Sequence, residues 1–328
     1  MLLEFTQKGI YCEKGNFYID PSAAVDYALV THAHSDHARR GSKNYLAHKH
    51  TAPVLKLRLG KRSMVQEVEY GQEINIKGIK VTFYPSGHVI GSAQIKVDDG
   101  NEVWVVAGDY KLESDNITQQ FEHIKCTHFV TESTFAKPNF SWKAQTEIFT
   151  EMNDWWARNS SKGVTSVMSA YSLGKSQRIL KNIDSSIGKI VVHDSIDETN
   201  DIFRKLGFNL PKTYLFSEVS RHDLKNALVI TPSFSNLNKF EDKLEGYVMA
   251  NASGWMQVPW YVSKSLDKGF VISDHADWNG LIKAVKETHA QNIFVVHGFT
   301  TYFAKHLNTL GLNAMSITDK KLDQLVLL

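Results

Sequence analysis

The sequence predicts an α/β fold in which a β-rich start and a C-terminal segment flank an inserted α/β unit. Three patterns carry this expectation. The first 135 residues or so hold short apolar or alternating runs, punctuated by Gly, Asp and Asn. From about Lys137, strand-like runs alternate with helical ones, which implies βαβ units and a mostly parallel sheet. The tail then returns to two further strand–helix pairs. The expected division is 1–136 and 266–328 for the flanking unit and 137–265 for the insertion.

In order, the predicted strands of the first part are Phe17–Ile19, Tyr27–Thr31, Ile79–Tyr84, Ala93–Val97, Val103–Ala107 and His128–Glu132. Asp98-Asp99-Gly100-Asn101 is a hairpin signal between two of them. Lys143–Asn159 is helical, because Ile148, Phe149, Met152, Trp155 and Trp156 recur at helical spacing. A strand Val164–Ser169 and a helix from Leu173 to about Ile183 follow, with Ser172 as the expected N-cap. The tail gives strand Gly269–Ser273, helix Trp278–Glu287, strand Asn292–His297 and helix Tyr302–Leu310.

Composition excludes several classes. The chain has 328 residues, 37 Lys+Arg against 35 Asp+Glu, and a net charge of +2. Net charge therefore does not announce a nucleic-acid binder. Hydrophobic residues make up 42%, the mean hydropathy is −0.28, and no apolar run approaches the roughly 18 residues of a membrane helix. The N-terminus lacks the pattern of a signal peptide, so a cytoplasmic protein is expected. Cys12 and Cys126 lie far apart and form no CxxC, which argues against a disulfide framework or a cysteine zinc site. There are 14 histidines, a high share for the commonest metal ligand.

The placement of those histidines is the strongest signal. Thr31-His32-Ala33-His34-Ser35-Asp36-His37 follows a strand. In an extended segment His32 and His34 point to one side and can share a metal. Asp36 and His37 follow where the loop turns and can reach a second metal. Asp20, His88, Asp109 and His297 each close another predicted strand, where a rigid sheet presents polar groups.

In this order Asp20, HxHxDH, His88 and Asp109 resemble the core motifs of the metallo-β-lactamase fold, a four-layer αββα sandwich with one or two metals. The resemblance implies that His32, His34 and His88 bind one metal, and that Asp36 and His37 bind a second. It implies that Asp109 bridges both and that Asp20 orients a ligand. Thr131-Glu132-Ser133-Thr134-Phe135, Ser273-Asp274-His275-Ala276-Asp277 and Val296-His297-Gly298 resemble three motifs of the β-CASP nucleases, and the insertion stands where those enzymes carry a cap domain. By this resemblance Asp36, Glu132 and His275 are catalytic. His275 gives a proton to a leaving 3′ oxygen, Glu132 orients and charges it, and His297 completes the second metal's ligands. Two divalent metals, most simply zinc with manganese or iron as alternatives, would hold and hydrolyse a phosphodiester.

Ala252-Ser253-Gly254-Trp255 resembles the Thr-Gly-Trp of the DNA branch, which includes Artemis and the interstrand-crosslink-repair nucleases. It departs at Ser253, and His297 is absent from much of that branch. Over nearly its whole length the chain is similar to the bacterial ligase-associated DNA exonucleases. It shares their Leu3-Glu4-Phe5-Thr6 opening and the GDYKLE, TESTF, SLGK-Q, ASGWM and SDHADW segments. The resemblance implies a DNA end-processing exonuclease working beside an ATP-dependent DNA ligase and a helicase. A ribonuclease of the RNA-processing branch is the alternative.

Residues 38–66 hold Arg39, Arg40, Lys43, Lys49, Lys56, Arg58, Lys61 and Arg62 with no acid. Beside a phosphodiester site they can neutralise nucleic-acid phosphates or form a merely basic face. His48 and His50 are expected at this surface. Lys175, beside a helix N-terminus, either holds a phosphate or belongs to a plain cap. Among Trp142, Trp155, Trp156, Trp255, Trp260 and Trp278, Trp255 is the candidate for base stacking, and Trp155 and Trp156 belong to a core.

Overall fold

The computed structural model describes residues 1–235, 243–259 and 266–317. Trp260 and the expected boundary at 265 lie outside these. In chain order the elements begin with β1 (Glu4–Thr6), β2 (Gly9–Cys12), β3 (Phe17–Ile19), β4 (Tyr27–Leu29), β5 (Asn44–His48), α1 (Ala52–Leu59) and β6 (Val65–Val68). There follow β7 (Glu73–Ile76), β8 (Ile79–Pro85), β9 (Ala93–Asp98), β10 (Val103–Val106) and β11 (His128–Ser133). The insertion holds α2 (Gln145–Ser160), β12 (Thr165–Ser169), α3 (Lys175–Asn182), β13 (Ile190–Val192), α4 (Asp194–Lys205), β14 (Tyr214–Leu215), α5 (Arg221–Leu224), β15 (Leu228–Thr231), β16 (Tyr247–Ala252) and β17 (Lys268–Phe270). The chain ends in α6 (Trp278–Glu287), β18 (Asn292–Gly298), α7 (Thr300–Thr309) and β19 (Ala314–Ser316).

Two compact units result. One comprises Met1–Ser114, Thr118–Ser141 and His275–Leu328, and the other Asp115–Ile117 and Trp142–Asp274. The expected limits, 136/137 and 265/266, lie five and nine residues earlier.

The first unit holds two sheets. β1 to β6 are ordered sequentially in one, antiparallel at β1–β3 and parallel from β3 to β6. The other runs β19-β18-β11-β10-β9-β8-β7, with an antiparallel meander from β7 to β10 and parallel pairs beyond. Side chains on a strand alternate between faces, and the two faces of the second sheet fill different cores. Trp104, Val106, Val130 and Phe294 point into one core, against Phe5, Phe17, Ile19 and Leu29 of the first sheet. Val105, Phe129, Ile293 and Val295 point into another, against Leu281 and Val285 of α6 and Phe303 and Leu307 of α7. On the first sheet, α1 lies against β5 and β6. The order of layers is helix, sheet, sheet, helices.

The second unit is built on a parallel sheet, β14-β13-β15-β12-β16-β17. Trp155 and Trp156 are buried in it as their helical spacing predicts, and Trp156 Nε1 donates to the Asn226 carbonyl at 3.1 Å. Helix α3 starts later than expected. Its N-cap is Gly174 at φ 92°, not Ser172, and the Gly174 N–H donates to Gln177 Oε1 at 2.8 Å. Lys175 and Arg178 on this helix are buried and reach the Asp274 carboxylate at 3.7 and 3.4 Å. Lys175 is thus an ion-pair partner inside the unit, and the exposed phosphate contact considered for it is corrected. Trp255 sits half-buried in a 3-10 turn over Gly254–Gln257. Among the described residues no helix is long and apolar enough to cross a membrane.

His48 also departs from expectation. It is 1% exposed and lies flat on the Tyr70 ring, with centroids 3.6 Å apart. Burial first, then His50 and Lys49, push its imidazole down to about 3, against about 6.5 when unfolded. Between these values the unfolded chain binds a proton that the folded chain refuses. Stability from this group is full above about pH 6.5 and falls as pH falls. His48→Phe keeps the ring stack and removes the titration. We expect urea unfolding of the variant to lose up to about 2 kcal/mol less stability than the native chain between about pH 7 and 5. Equal losses would contradict this.

Candidate metal centre

The ligand loop leaves β4 and is tied down at once. The Thr31 N–H donates to Asp20 Oδ1 at 2.8 Å, and Thr31 Oγ1 donates to Asp20 Oδ2 at 2.5 Å. The Ala93 N–H, at the start of β9 in the other sheet, donates to the Thr31 carbonyl at 2.8 Å. The loop then turns: the N–H groups of His37 and Ala38 both donate to the His34 carbonyl, at 3.2 and 3.0 Å. That turn brings Asp36 and His37 back beside the histidines that precede them. Arg58, from the basic stretch, donates to the Ala33 carbonyl at 2.7 Å and braces the same loop.

The loop after β10 passes directly over Thr31. Gly108 has φ 59°, and a Cβ there would lie 2.8 Å from the Thr31 side chain. Only glycine permits this approach. The next residue, Asp109, is thereby carried to the histidines, and Ser86 Oγ fixes its carbonyl at 2.9 Å.

Four side chains meet in the first cluster. His32 Nε2 and His88 Nε2 each lie 3.1 Å from His34 Nδ1. Asp109 Oδ2 lies 3.5 Å from His32 Nε2 and 3.7 Å from His88 Nε2. One donor atom from each of the four falls within 4.8 Å of the others. His34 Nδ1 has one lone pair or one proton, so no tautomer lets it bond both neighbours. A cation among them satisfies all: tetrahedral bonds of about 2.0–2.1 Å place ligand atoms about 3.3–3.4 Å apart. The residues present fit a metal.

A second cluster shares Asp109. Its other oxygen, Oδ1, lies 3.4 Å from His37 Nε2, which is 3.7 Å from Asp36 Oδ2. His37 Nδ1 lies 2.7 Å from Asp20 Oδ2. The His297 ring stands 5.5 Å from the His37 ring, centroid to centroid. His297 is held at φ 52°, a region that non-glycine residues seldom adopt, and Ser133 Oγ donates to its carbonyl. Gly298 beside it has no room for a Cβ, which would fall 2.4 Å from the Ser133 carbonyl oxygen.

Charge follows this geometry. Burial, then the neighbouring His37 and His88, hold His32 well below the usual histidine range, so it stays neutral as a metal ligand must. Burial works against a charge on His37, but Asp109 and Asp20 outweigh it and raise its pKa well above the ordinary value. Burial likewise opposes ionisation of Asp109, and His37 and His275 overcome it.

Beside the clusters stands a third group. His275 Nδ1 lies 2.8 and 3.0 Å from the two Glu132 oxygens, and the Tyr110 N–H donates to Glu132 Oε1 at 2.9 Å. The Ala276 N–H donates to the Tyr110 carbonyl at 2.7 Å, which fixes the backbone next to His275. Glu132 is 1% exposed. Donation from Nδ1–H to this carboxylate leaves Nε2 of His275 facing Asp109 Oδ2 at 4.0 Å.

Asp20, His32, His34, Asp36, His37, His88, Asp109, Glu132, His275 and His297 are thus brought together. Arg39, Arg40 and Lys43 are exposed on the stretch that follows. Arg40 donates to the Arg58 carbonyl at 2.7 Å, and Lys43 pairs with Asp26 at 2.6 Å. Lys175 and Trp255 belong to the second unit. The supporting roles of Thr31 and Gly108 escaped the sequence reading, although both stand inside the motifs it quoted. Ser86 and Ser92, whose hydroxyls bond at 2.8 Å across the segment that carries His88, gave no signal.

Asp20→Asn removes the charge that orients His37. Losses for such partners of metal-ligating histidines are about 10–100-fold in metal affinity, and a loss of that size is expected for zinc in a competition titration against a chromophoric chelator. Unchanged affinity would contradict the role given to Asp20.

No family model matches the chain. A probable DNA ligase of Opitutus terrae is 26% identical over 312 residues, 94% of this chain and 30% of that protein. Cleavage and polyadenylation specificity factor subunit 3-I of Arabidopsis thaliana is 25% identical over 85% of this chain and 52% of its own length. RNase aCSPSF2 of Saccharolobus solfataricus is 30% identical over 34% of this chain and 23% of that one. The chain spans about half or less of these relatives. A crystal structure of a protein of unknown function from Enterococcus faecalis V583 superposes with a TM-score of 0.62 at 14% identity, over 89% of this chain and 79% of the other. That likeness concerns the fold alone. The similarities on the sequence side are thus to a probable DNA ligase, a cleavage and polyadenylation specificity factor subunit and an RNase.

Proposed function

We propose that the chain is a metal-dependent phosphodiester hydrolase that trims DNA ends in repair, built as a metallo-β-lactamase sandwich with a β-CASP insertion. The observation that carries this reading is Asp109: its two oxygens face two ligand clusters, and the Glu132–His275 pair stands beside them. In this reading His32, His34, His88 and Asp109 would hold one divalent cation, most simply zinc. Asp36, His37, Asp109 and His297 would hold the other. Such a pair supplies Lewis-acid charge for a phosphodiester and the water that attacks it.

The protein's own groups do the rest. Glu132 keeps a proton on His275 Nδ1 and favours the imidazolium form. Nε2 of His275 then hands its proton to the leaving oxygen as the bond to phosphorus breaks. Asp20 holds His37 in place. Arg39 and Arg40 offer positive charge to the phosphates of the strand.

The DNA substrate is supported by the Trp255 segment. It is supported too by the probable DNA ligase, which carries a stretch similar to nearly all of this chain. Joint action with an ATP-dependent ligase, and with a helicase, is part of the proposal. The second reading, an RNA-processing nuclease, is favoured by the similarity to RNase aCSPSF2.

End-labelled DNA and RNA of one sequence, given zinc or manganese, test the proposal. Stepwise shortening of DNA with RNA intact is expected. His275→Gln should lose about 10²–10⁴-fold in rate, and His34→Ala should lose activity with folding retained. Preferential RNA cleavage would favour the second reading. Full activity in both variants would overturn the assigned site.

A further inference from the structure

We propose that a cavity beside the second ligand cluster seats the terminal nucleoside of the strand being cut. The inference rests on the nuclease reading and adds how an end is recognised. The cavity measures about 420 Å³ and lies wholly within the first unit. Its apolar walls come from both sheets: Ile10 and Ile19 from one, and Val106, Val130 and Val296 from the other. Asp36, His37 and His297 also line it, so the cavity opens onto candidate ligands. A group lodged there is therefore joined to the phosphate held at those ligands.

The chemistry of the lining selects what enters. Its described residues include no Lys or Arg, and they include the carboxylates of Asp20 and Asp36. Away from the edge where Asp20, Asp36, His37 and His297 stand, a phosphate would lose water and meet no cation among the described residues. A neutral base and sugar meet apolar walls, with Thr6, Ser22 and Thr300 in the lining to bond polar edges. The volume stands near the lower end of the range for small-molecule sites, about 300–1,000 Å³, which suits one nucleoside rather than a stacked run. A strand continuing through the cavity would have to bring its next phosphate past the same walls. The seated residue is therefore the last of its strand, and the bond cut is the one beside it.

Methyl NMR of the full metal-free chain, labelled at isoleucine, tests the site without catalysis. Deoxyadenosine at millimolar concentration should shift the Ile10 and Ile19 methyls saturably. Inorganic phosphate should not, and Ile190 in the second unit should stay fixed. Ile10→Trp fills the cavity and should abolish the Ile19 response. If that variant does not fold, the native titration still decides. In the metal-loaded enzyme, an abasic residue at the strand end should slow the first cut by at least about tenfold. Absent nucleoside shifts, or an abasic end trimmed as fast as an ordinary one, would overturn the proposal. A chain that cuts neither DNA nor RNA would overturn the nuclease reading instead, and the methyl titration would still judge the cavity.

Discussion

One carboxylate ties the candidate centre together. Asp20 accepts from the Thr31 backbone, from the Thr31 hydroxyl and from His37 Nδ1. It does so at φ 44°, a backbone strain of about 1–3 kcal/mol that only a well-bonded surrounding sustains. Thr31 in turn is bonded by Ala93 of the second sheet. The ligand loop is therefore fixed to both halves of the sandwich before any cation is considered. His37 Nε2 is aimed at Asp109 as a consequence, and Gly108 lets Asp109 come close enough to be met.

Electrostatics complete what the bonds begin. The cluster holds a neutral His32, a His37 that keeps its proton between two carboxylates, and an ionised Asp109. Buried charges here are compensated within the site, so the ligands can stand in place without collapsing. A cation held by His37 would displace that proton, so metal uptake would be linked to proton release. Because the ligands sit at strand ends backed by two cores, little reorganisation accompanies that exchange.

The parts of the site legible in the sequence were those written contiguously or at the ends of clear strands. His32 to His37 lie in one run, and Asp20, His88 and Asp109 each follow an apolar stretch. Contacts between distant segments were not legible. Nothing local says that Gly108 crosses Thr31, or that Tyr70 lies flat on His48. Helix α1 was hidden because Lys56 and Arg58 read as a basic face, while the burial of Ala52, Val54 and Leu55 depends on β5 and β6. That basic face is also less available than its composition suggests. Arg58 braces the ligand loop, and Lys49 and Lys56 pair with Glu69 and Glu67 at 2.9 and 3.4 Å. Such exposed pairs contribute little to stability. Lys175, for which the sequence left a phosphate contact or a plain helix cap open, is buried on Asp274, a partner almost a hundred residues away that no local pattern reveals.

The central claim is that one carboxylate, Asp109, joins two cation sites. Metal stoichiometry measured by elemental analysis after equilibrium dialysis against zinc tests it most directly. The native chain should hold about two ions, and a folded His37→Ala chain about one, because only the second cluster loses its central ligand. A native chain that holds none, or a His37→Ala chain that still holds two, would contradict the account.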